Sequence, residues 1–326
     1  MDTTAFDISP EKEASVSQFL YRQFFVTPKA VLPGEVDLSS KTATVTGSNT
    51  GIGLECARQL LDLGLSKLII AVRDESKGEV ARKALAEAHK HSTIEVWKIN
   101  LSSYDSVTEF AKRADTLDRL DIVVLNAGVW RGHEVFNEST GYEEDIQVNY
   151  MSTMLLAILI LPTLKSKRVG TNPGRLILVS SDTAALAEFK ERDAEPLLPT
   201  YKKKSDKPDM RVHPSVAIVN CANPGLCHGS SLQRDTKGAI LKFLSNLAER
   251  IGGRSRSVGA RVFVDAAVRH GGEVHGHYIE DCRIRPMAPI VYKPEGKRIA
   301  KFLWKELMTG ELAFAKVEDI IQGLSE

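Results

Sequence analysis

Thr42-Ala43-Thr44-Val45-Thr46-Gly47-Ser48-Asn49-Thr50-Gly51-Ile52-Gly53 is the stretch on which the fold turns. Its first five residues are small or β-branched and read as a short strand, and an amphipathic helical period opens directly after it. The glycines between them let the backbone turn tightly, approach a pyrophosphate and bring helix against strand. The helix N-terminus adds backbone donors and the positive end of a dipole. Glycine serves tight turns of many kinds. Placed between strand and helix, this turn reads as a nucleotide site, with Thr46, Gly47, Ser48, Asn49, Gly51, Ile52 and Gly53 as candidate contacts.

Outward from the turn, apolar strands alternate with helical segments in units of about 25 to 30 residues, the pattern of a parallel sheet wrapped by helices. Strands are predicted over 42–46, 67–72, 94–99, 121–125, 175–179 and 215–220, and helices over 52–63, 76–89, 103–114 and 146–164. The last helix is apolar on all faces, which calls for burial in the core or in a subunit contact. The fold class is therefore α/β, a Rossmann-type doubly wound parallel sheet in one domain over residues 41–326. Residues 1–40 form an N-terminal arm, in which Phe19, Leu20, Tyr21, Phe24 and Phe25 predict a short helix docking an apolar face. Residues 186–213, with Pro196, Pro199, Pro208 and Lys202 to Lys204, read as a long polar loop.

Composition narrows the function. With 43 basic and 42 acidic residues in 326, no field suits a nucleic acid or an anionic membrane surface. The longest apolar run, 154–162, is too short for a membrane span, and the N-terminus lacks a secretory pattern. Cys56, Cys221, Cys227 and Cys282 lack metal-ligand spacing and fit a reducing compartment, so the expected location is cytoplasmic. No metal is expected, since two histidines such as His275 and His277 rarely suffice for a site and read as a solvated turn. Ser230 and Ser231 lack the strand-elbow-helix context of a nucleophile.

The second strand ends at Ala71-Val72-Arg73, and Arg73 stands 20 residues after Gly53. An acidic residue at that distance would hold the ribose 2′-hydroxyl of NAD, whereas an arginine suits a 2′-phosphate, so NADP is the expected cofactor. Asp74 is the competing grip on an unphosphorylated ribose. Lys77 either adds a second cation or is a solvated lysine.

Further motifs extend the pattern. Arg73 to Glu79 reads Arg-Asp-Glu-Ser-Lys-Gly-Glu; Asn126-Ala127-Gly128 follows the fourth strand; Gly141-Tyr142-Glu143 precedes Val148-Asn149; Asn223-Pro224-Gly225 follows the sixth strand; and Trp304-Lys305-Glu306-Leu307 lies near the end. In these motifs, across roughly residues 18 to 310, the chain resembles the short-chain dehydrogenase/reductase family. It is similar to the retinol-dehydrogenase-like branch and to fungal members found beside secondary-metabolite pathways. The resemblance implies an NADP(H)-dependent oxidoreductase that interconverts a carbonyl and an alcohol on a small lipophilic or polyketide-like substrate. It places Asn126, Ala127 and Gly128 at the adenosine ribose, and Pro224 and Gly225 beside the nicotinamide. Asn100-Leu101 stands where the family has an aspartate and a leucine against the adenine; the asparagine accepts through its carbonyl oxygen but carries no charge. Ser181 matches the serine that orients the substrate carbonyl, and Asn149 the asparagine that holds a proton-relay water.

The family's remaining pair, a Tyr-x-x-x-Lys that donates the proton and binds the ribose, is absent. None of the seven tyrosines has a lysine four residues on. Tyr201, between Ser181 and Pro224, has lysines at the next three positions, but Pro199, Pro208 and the missing apolar stripe oppose a helix there. Met210 lies five residues before the predicted strand 215–220, so the crossover helix between the fifth and sixth strands is missing, where such a connection takes a dozen residues or more. One sheet face should then be bare, exposing Ile177, Val216 and Ile218. Three accounts stand open. An internal segment of about 25 to 35 residues, one crossover unit, is lost near Met210 and Arg211 through a gene-model or splicing error; or the loss is real and leaves an inactive NADP-binding pseudoenzyme; or an enzyme works through Tyr201 with Lys204 or Lys202. The family's homodimers pack the long helix together with the one missing here.

Overall fold

A computed structural model of the chain describes residues 6–131, 133–167, 169, 173–185, 189–202, 221–229 and 252–325. Its eight strands are β1 (Thr42–Thr46), β2 (Lys67–Val72), β3 (Thr93–Lys98), β4 (Ile122–Leu125), β5 (Arg175–Val179), β6 (Cys221–Asn223), β7 (Tyr278–Glu280) and β8 (Arg283–Arg285). They form one sheet in the order β3-β2-β1-β4-β5-β6-β7-β8, parallel throughout except for the antiparallel pair β7 and β8. The connections reverse direction between β1 and β4, and open α/β sheets bind ligands at that crevice. Strands such as Thr42–Thr46 and Ile122–Leu125 are buried at every residue, as strands covered on both faces must be.

Two short helices, α1 (Pro10–Glu13) and α2 (Val16–Phe25), precede the sheet. On one face lie α3 (Gly51–Asp62) and α4 (Glu75–Ala88); on the other lie α5 (Tyr104–Asp115) and α6 (Glu144–Ser166). Helix α7 (Arg256–Val268) joins the first face, while α8 (Pro294–Lys305) and α9 (Val317–Ser325) join the second. Helix α6 is 23 residues long, and by length and composition could cross a membrane, unlike the shorter run 154–162 read from sequence. It is instead a core helix, packed against α5, α9, β4 and β5. A π-helical turn, Gln147–Ser152, interrupts it near its start.

Three expectations change. Ile177 is fully buried, because α7 packs over β5 and β6 on that face. On the opposite face Leu176 and Leu178 are buried with Leu197, Leu198 and Tyr201, so the supposed polar loop contributes core residues. Glu306 fixes that segment by accepting from the Leu197 and Leu198 amides. Between β5 and Lys202 the described residues form only short 3-10 turns; the predicted strand 215–220, with Val216 and Ile218, lies outside the described residues, as do Ser230 and Ser231.

The arm is the third change. Leu20, Tyr21, Phe24 and Phe25 are exposed, Phe25 at 78%, and the buried residue of α2 is Arg22. The helix thus docks through its charged side, because its partners are carboxylates from distant parts of the chain.

Candidate active site

The turn after β1 is held by its own side chains. Gly47 and Gly51 adopt φ of +66° and +65°, the left-handed region that glycine enters freely. Gly53 must lack a side chain for another reason: a Cβ there would lie 2.4 Å from Asn126 Nδ2 and 2.8 Å from the Gly47 carbonyl oxygen. Asn126 donates to the Thr46 carbonyl at 2.9 Å, the Ala127 amide donates to Thr46 Oγ1 at 2.9 Å, and Ser48 Oγ donates to the Val45 carbonyl at 2.7 Å. Thr46, Ser48, Asn126 and Ala127 therefore shape the cradle. Thr50 makes no side-chain cap on α3, and the first turn of that helix carries no acidic residue. Its N-terminal amides and dipole suit a phosphate, with Asn49 and Ile52 partly exposed beside them and Gly128 partly exposed after β4.

At the end of β2, Arg73 is exposed. Asp74 caps α4 by accepting from the Lys77 amide at 3.2 Å and pairs with Lys77 Nζ at 3.1 Å. Hydrogen bonds from Lys77 hold its carboxyl below the usual range. The rival ribose grip and the second cation are thus paired with each other. At Asn100, Oδ1 accepts from the Ser102 amide at 3.2 Å, so the oxygen expected to meet adenine serves its own turn. Leu101 is buried in the core.

Ser181 follows β5, with Oγ 2.8 Å from Thr183 Oγ1. Asn149 lies on the π turn, and both ends of its amide bind one residue: Nδ2 donates to the Val129 carbonyl at 2.7 Å and Oδ1 accepts from the Val129 amide at 2.8 Å. Its side chain thereby positions the segment after β4. π turns inside helices recur at functional sites. Tyr201 is buried among core residues, and its carbonyl accepts from the Glu143 amide at 3.0 Å. Lys202 lies 3.4 Å from Glu311 and 4.4 Å from the centre of the Tyr142 ring. These two contacts of Lys202 do not lead to Ser181, and Lys204 lies outside the described residues. The His275 side chain is exposed, and its carbonyl lies 2.9 Å from His277 Nδ1, as a surface turn requires.

Pro224-Gly225 leads to what the sequence reading missed. Gly225, at φ +73°, lies against Arg254 and Gln23. Gln23, from α2, donates to the Leu226 carbonyl at 2.8 Å and accepts from the Leu226 amide at 3.2 Å. Arg254 donates to the Arg22 and Val26 carbonyls and pairs with Asp281 at 2.7 Å. Arg22 pairs with Glu13, lies 2.6 Å from Glu280 and 3.6 Å from Asp182, the residue after Ser181. One guanidinium is shared by three carboxylates, so burial wins: Glu280 is pushed up to about 8, and Asp182 is raised as well. A cleft lined by Ser181 and Asp182 on the sheet side and by Glu13 and Phe19 on the arm side results. No sequence period links positions 13, 22, 182 and 280, so only the fold brings them together.

Residues 41–191 match the family model described as short chain dehydrogenase. The chain is 48% identical to the short-chain dehydrogenase fogG of Aspergillus ruber, over 98% of this chain and 99% of that one. It is 42% identical to the short chain dehydrogenase/reductase mfmJ of Annulohypoxylon moriforme, over 94% of each. Among solved structures, a short chain dehydrogenase from Shigella flexneri shares the fold at a TM-score of 0.52 and 19% identity, over 80% of this chain and 96% of that one. The fogG alignment spans 346 positions against 326 residues here, so at least 20 residues of that relative have no counterpart in this chain.

Proposed function

The chain belongs to the short-chain dehydrogenase family, and on that premise we propose that it is an NADP(H)-dependent oxidoreductase interconverting a carbonyl and an alcohol. We place it in the cytoplasm, in a fungal-type secondary-metabolite pathway, acting on a small lipophilic substrate. The observation that carries the cofactor choice is the end of β2, where Asp74 is tied to the N-terminus of α4 while Arg73 is exposed. Arginine recognises phosphate through a planar fork of donors. The cradle fits the rest: Gly47, Gly51 and Gly53 let the backbone approach a pyrophosphate, the start of α3 without a side-chain cap offers amides, and the family resemblance puts Pro224-Gly225 beside the nicotinamide. When bound, NADPH supplies the hydride. Ser181 orients the carbonyl at the mouth of the cleft, and Asn149 holds the segment after β4 in place.

A second reading, an inactive NADP-binding protein of the same family, is favoured by one observation: no tyrosine is followed at the fourth position by a lysine, and Tyr201 is buried in the core. Against it, the extra residues of fogG support a natural chain longer by an internal segment. Consumption of NADPH with a reactive diketone separates the readings. Turnover that survives Tyr201→Phe but falls at least tenfold in Ser181→Ala supports an enzyme that does not use Tyr201. Saturable NADPH binding without turnover supports the second reading.

A further inference from the structure

Glu13 of the arm lines the cleft beside Ser181 and carries an acceptor without a donor. Glu13, the last residue of α1, has a side chain 5% exposed; its Oε1 pairs with Arg22, and its Oε2 has no hydrogen-bond partner. Arg22, itself 5% exposed, reaches Asp182 and Glu280, so the carboxylate is held one guanidinium away from the residue next to Ser181. A buried carboxylate oxygen left without a donor is destabilising, and native interiors seldom keep one. Its presence in a cleft points to a ligand that brings the donor.

The remaining lining says what kind of donor. Phe19, Ala185, Met287 and Val291 make the walls apolar, which suits a lipophilic body. Arg22 disfavours a second cation at Glu13, and the Glu13 carboxylate itself disfavours an anion at its open oxygen. A neutral hydroxyl remains, and a carboxylate paired to a guanidinium accepts from it without donating.

We propose that Glu13 is the recognition residue for a hydroxyl group of the substrate: the cleft takes a lipophilic carbonyl compound whose carbonyl meets Ser181 and whose second end donates a hydrogen bond to Glu13 Oε2. The inference rests on the proposed function for the carbonyl at Ser181, whereas the Glu13 subsite is readable by binding alone. The arm then forms part of the substrate site, with Phe19 as its apolar wall.

Calorimetric titration of the full chain, with NADP+ present and absent, against 4′-hydroxypropiophenone and 4′-methoxypropiophenone tests it. The two ketones share a ring and a carbonyl and differ in the donor. The wild-type chain is expected to bind the hydroxyl compound at least tenfold more tightly. Glu13→Gln keeps an oxygen for Arg22 and turns an N–H donor toward the cleft, so the preference disappears or inverts. Glu13→Asp withdraws the acceptor by one methylene and weakens the hydroxyl compound alone; it serves as the second variant if thermal unfolding shows Glu13→Gln misfolded. Equal affinity for both ketones in the wild type, binding of neither, or an unchanged preference in the variants overturns the assignment. A chain that takes no NADP+ but keeps the Glu13-dependent preference contradicts the proposed function and leaves this subsite standing.

Discussion

Gly53 and Asn149 show what a residue's type reveals and what only its neighbours do. The turn after β1 announces its glycines, but the reason for Gly53 is the amide of Asn126, 73 positions away along the chain. In Gly53→Ala the methyl must displace Asn126 or the Gly47 carbonyl, since 2.4 Å and 2.8 Å are below any real contact. We expect a loss of about 1–3 kcal/mol in thermal unfolding, with NADPH affinity reduced more than tenfold. For Asn149 the motif identified the residue and left its partner, Val129, unseen. Asn149→Ala removes two main-chain hydrogen bonds and should destabilise the fold by about 1–3 kcal/mol. Asn149→Asp keeps the acceptor for the Val129 amide but turns an oxygen toward its carbonyl, and should be no more stable than the alanine variant in denaturant unfolding. Unchanged stability in both would return Asn149 to the water-holding role alone.

Elements were legible where their cause is local. The predicted strands at β1, β2 and β5 coincide with the observed ones, and those at β3 and β4 differ by one residue, because apolar runs between turn residues specify buried parallel strands. The arm was misread because its packing is ionic: aromatic spacing in α2 suggested an apolar face inward, whereas Arg22 turns inward to carboxylates from three other segments. That junction carries a pH dependence. Glu280 has a folded value raised from 4.5 to about 8 by burial, so the folded state holds its proton where the unfolded state has lost it. Its contribution to stability is therefore full below about pH 4.5 and is lost as pH rises through about 8. Denaturant unfolding at a series of pH values should show stability falling across this window, with the fall flattened in Glu280→Gln. An identical slope in that variant would move the titration elsewhere.

For the whole molecule, the parallel sheet followed from the alternation of strands and helices, and the family from motifs spread over most of the chain. Among its described residues, the connection from β5 to β6 shows only short 3-10 turns. A crossover helix normally covers that part of a parallel sheet. Here Leu197, Leu198 and Tyr201 fill part of the space, which no pattern in a proline-containing stretch foretold. The shortfall of at least 20 residues against fogG matches the scale of the missing element. Sequencing of the natural transcript across the codons for Ser205 to Ser215 should therefore reveal a longer reading frame with a Tyr-x-x-x-Lys and an amphipathic helix. A transcript that encodes this chain unchanged would make the inactive NADP-binding reading the leading one.

The central claim, a nucleotide site built for NADP(H), is tested most directly by titrating the full chain with NADPH and NADH in parallel at one ionic strength, following the quenching of its tryptophan fluorescence. NADPH should bind at least tenfold more tightly, with the difference removed in Arg73→Ala. Equal or tighter binding of NADH, or no binding of either nucleotide, would contradict the account.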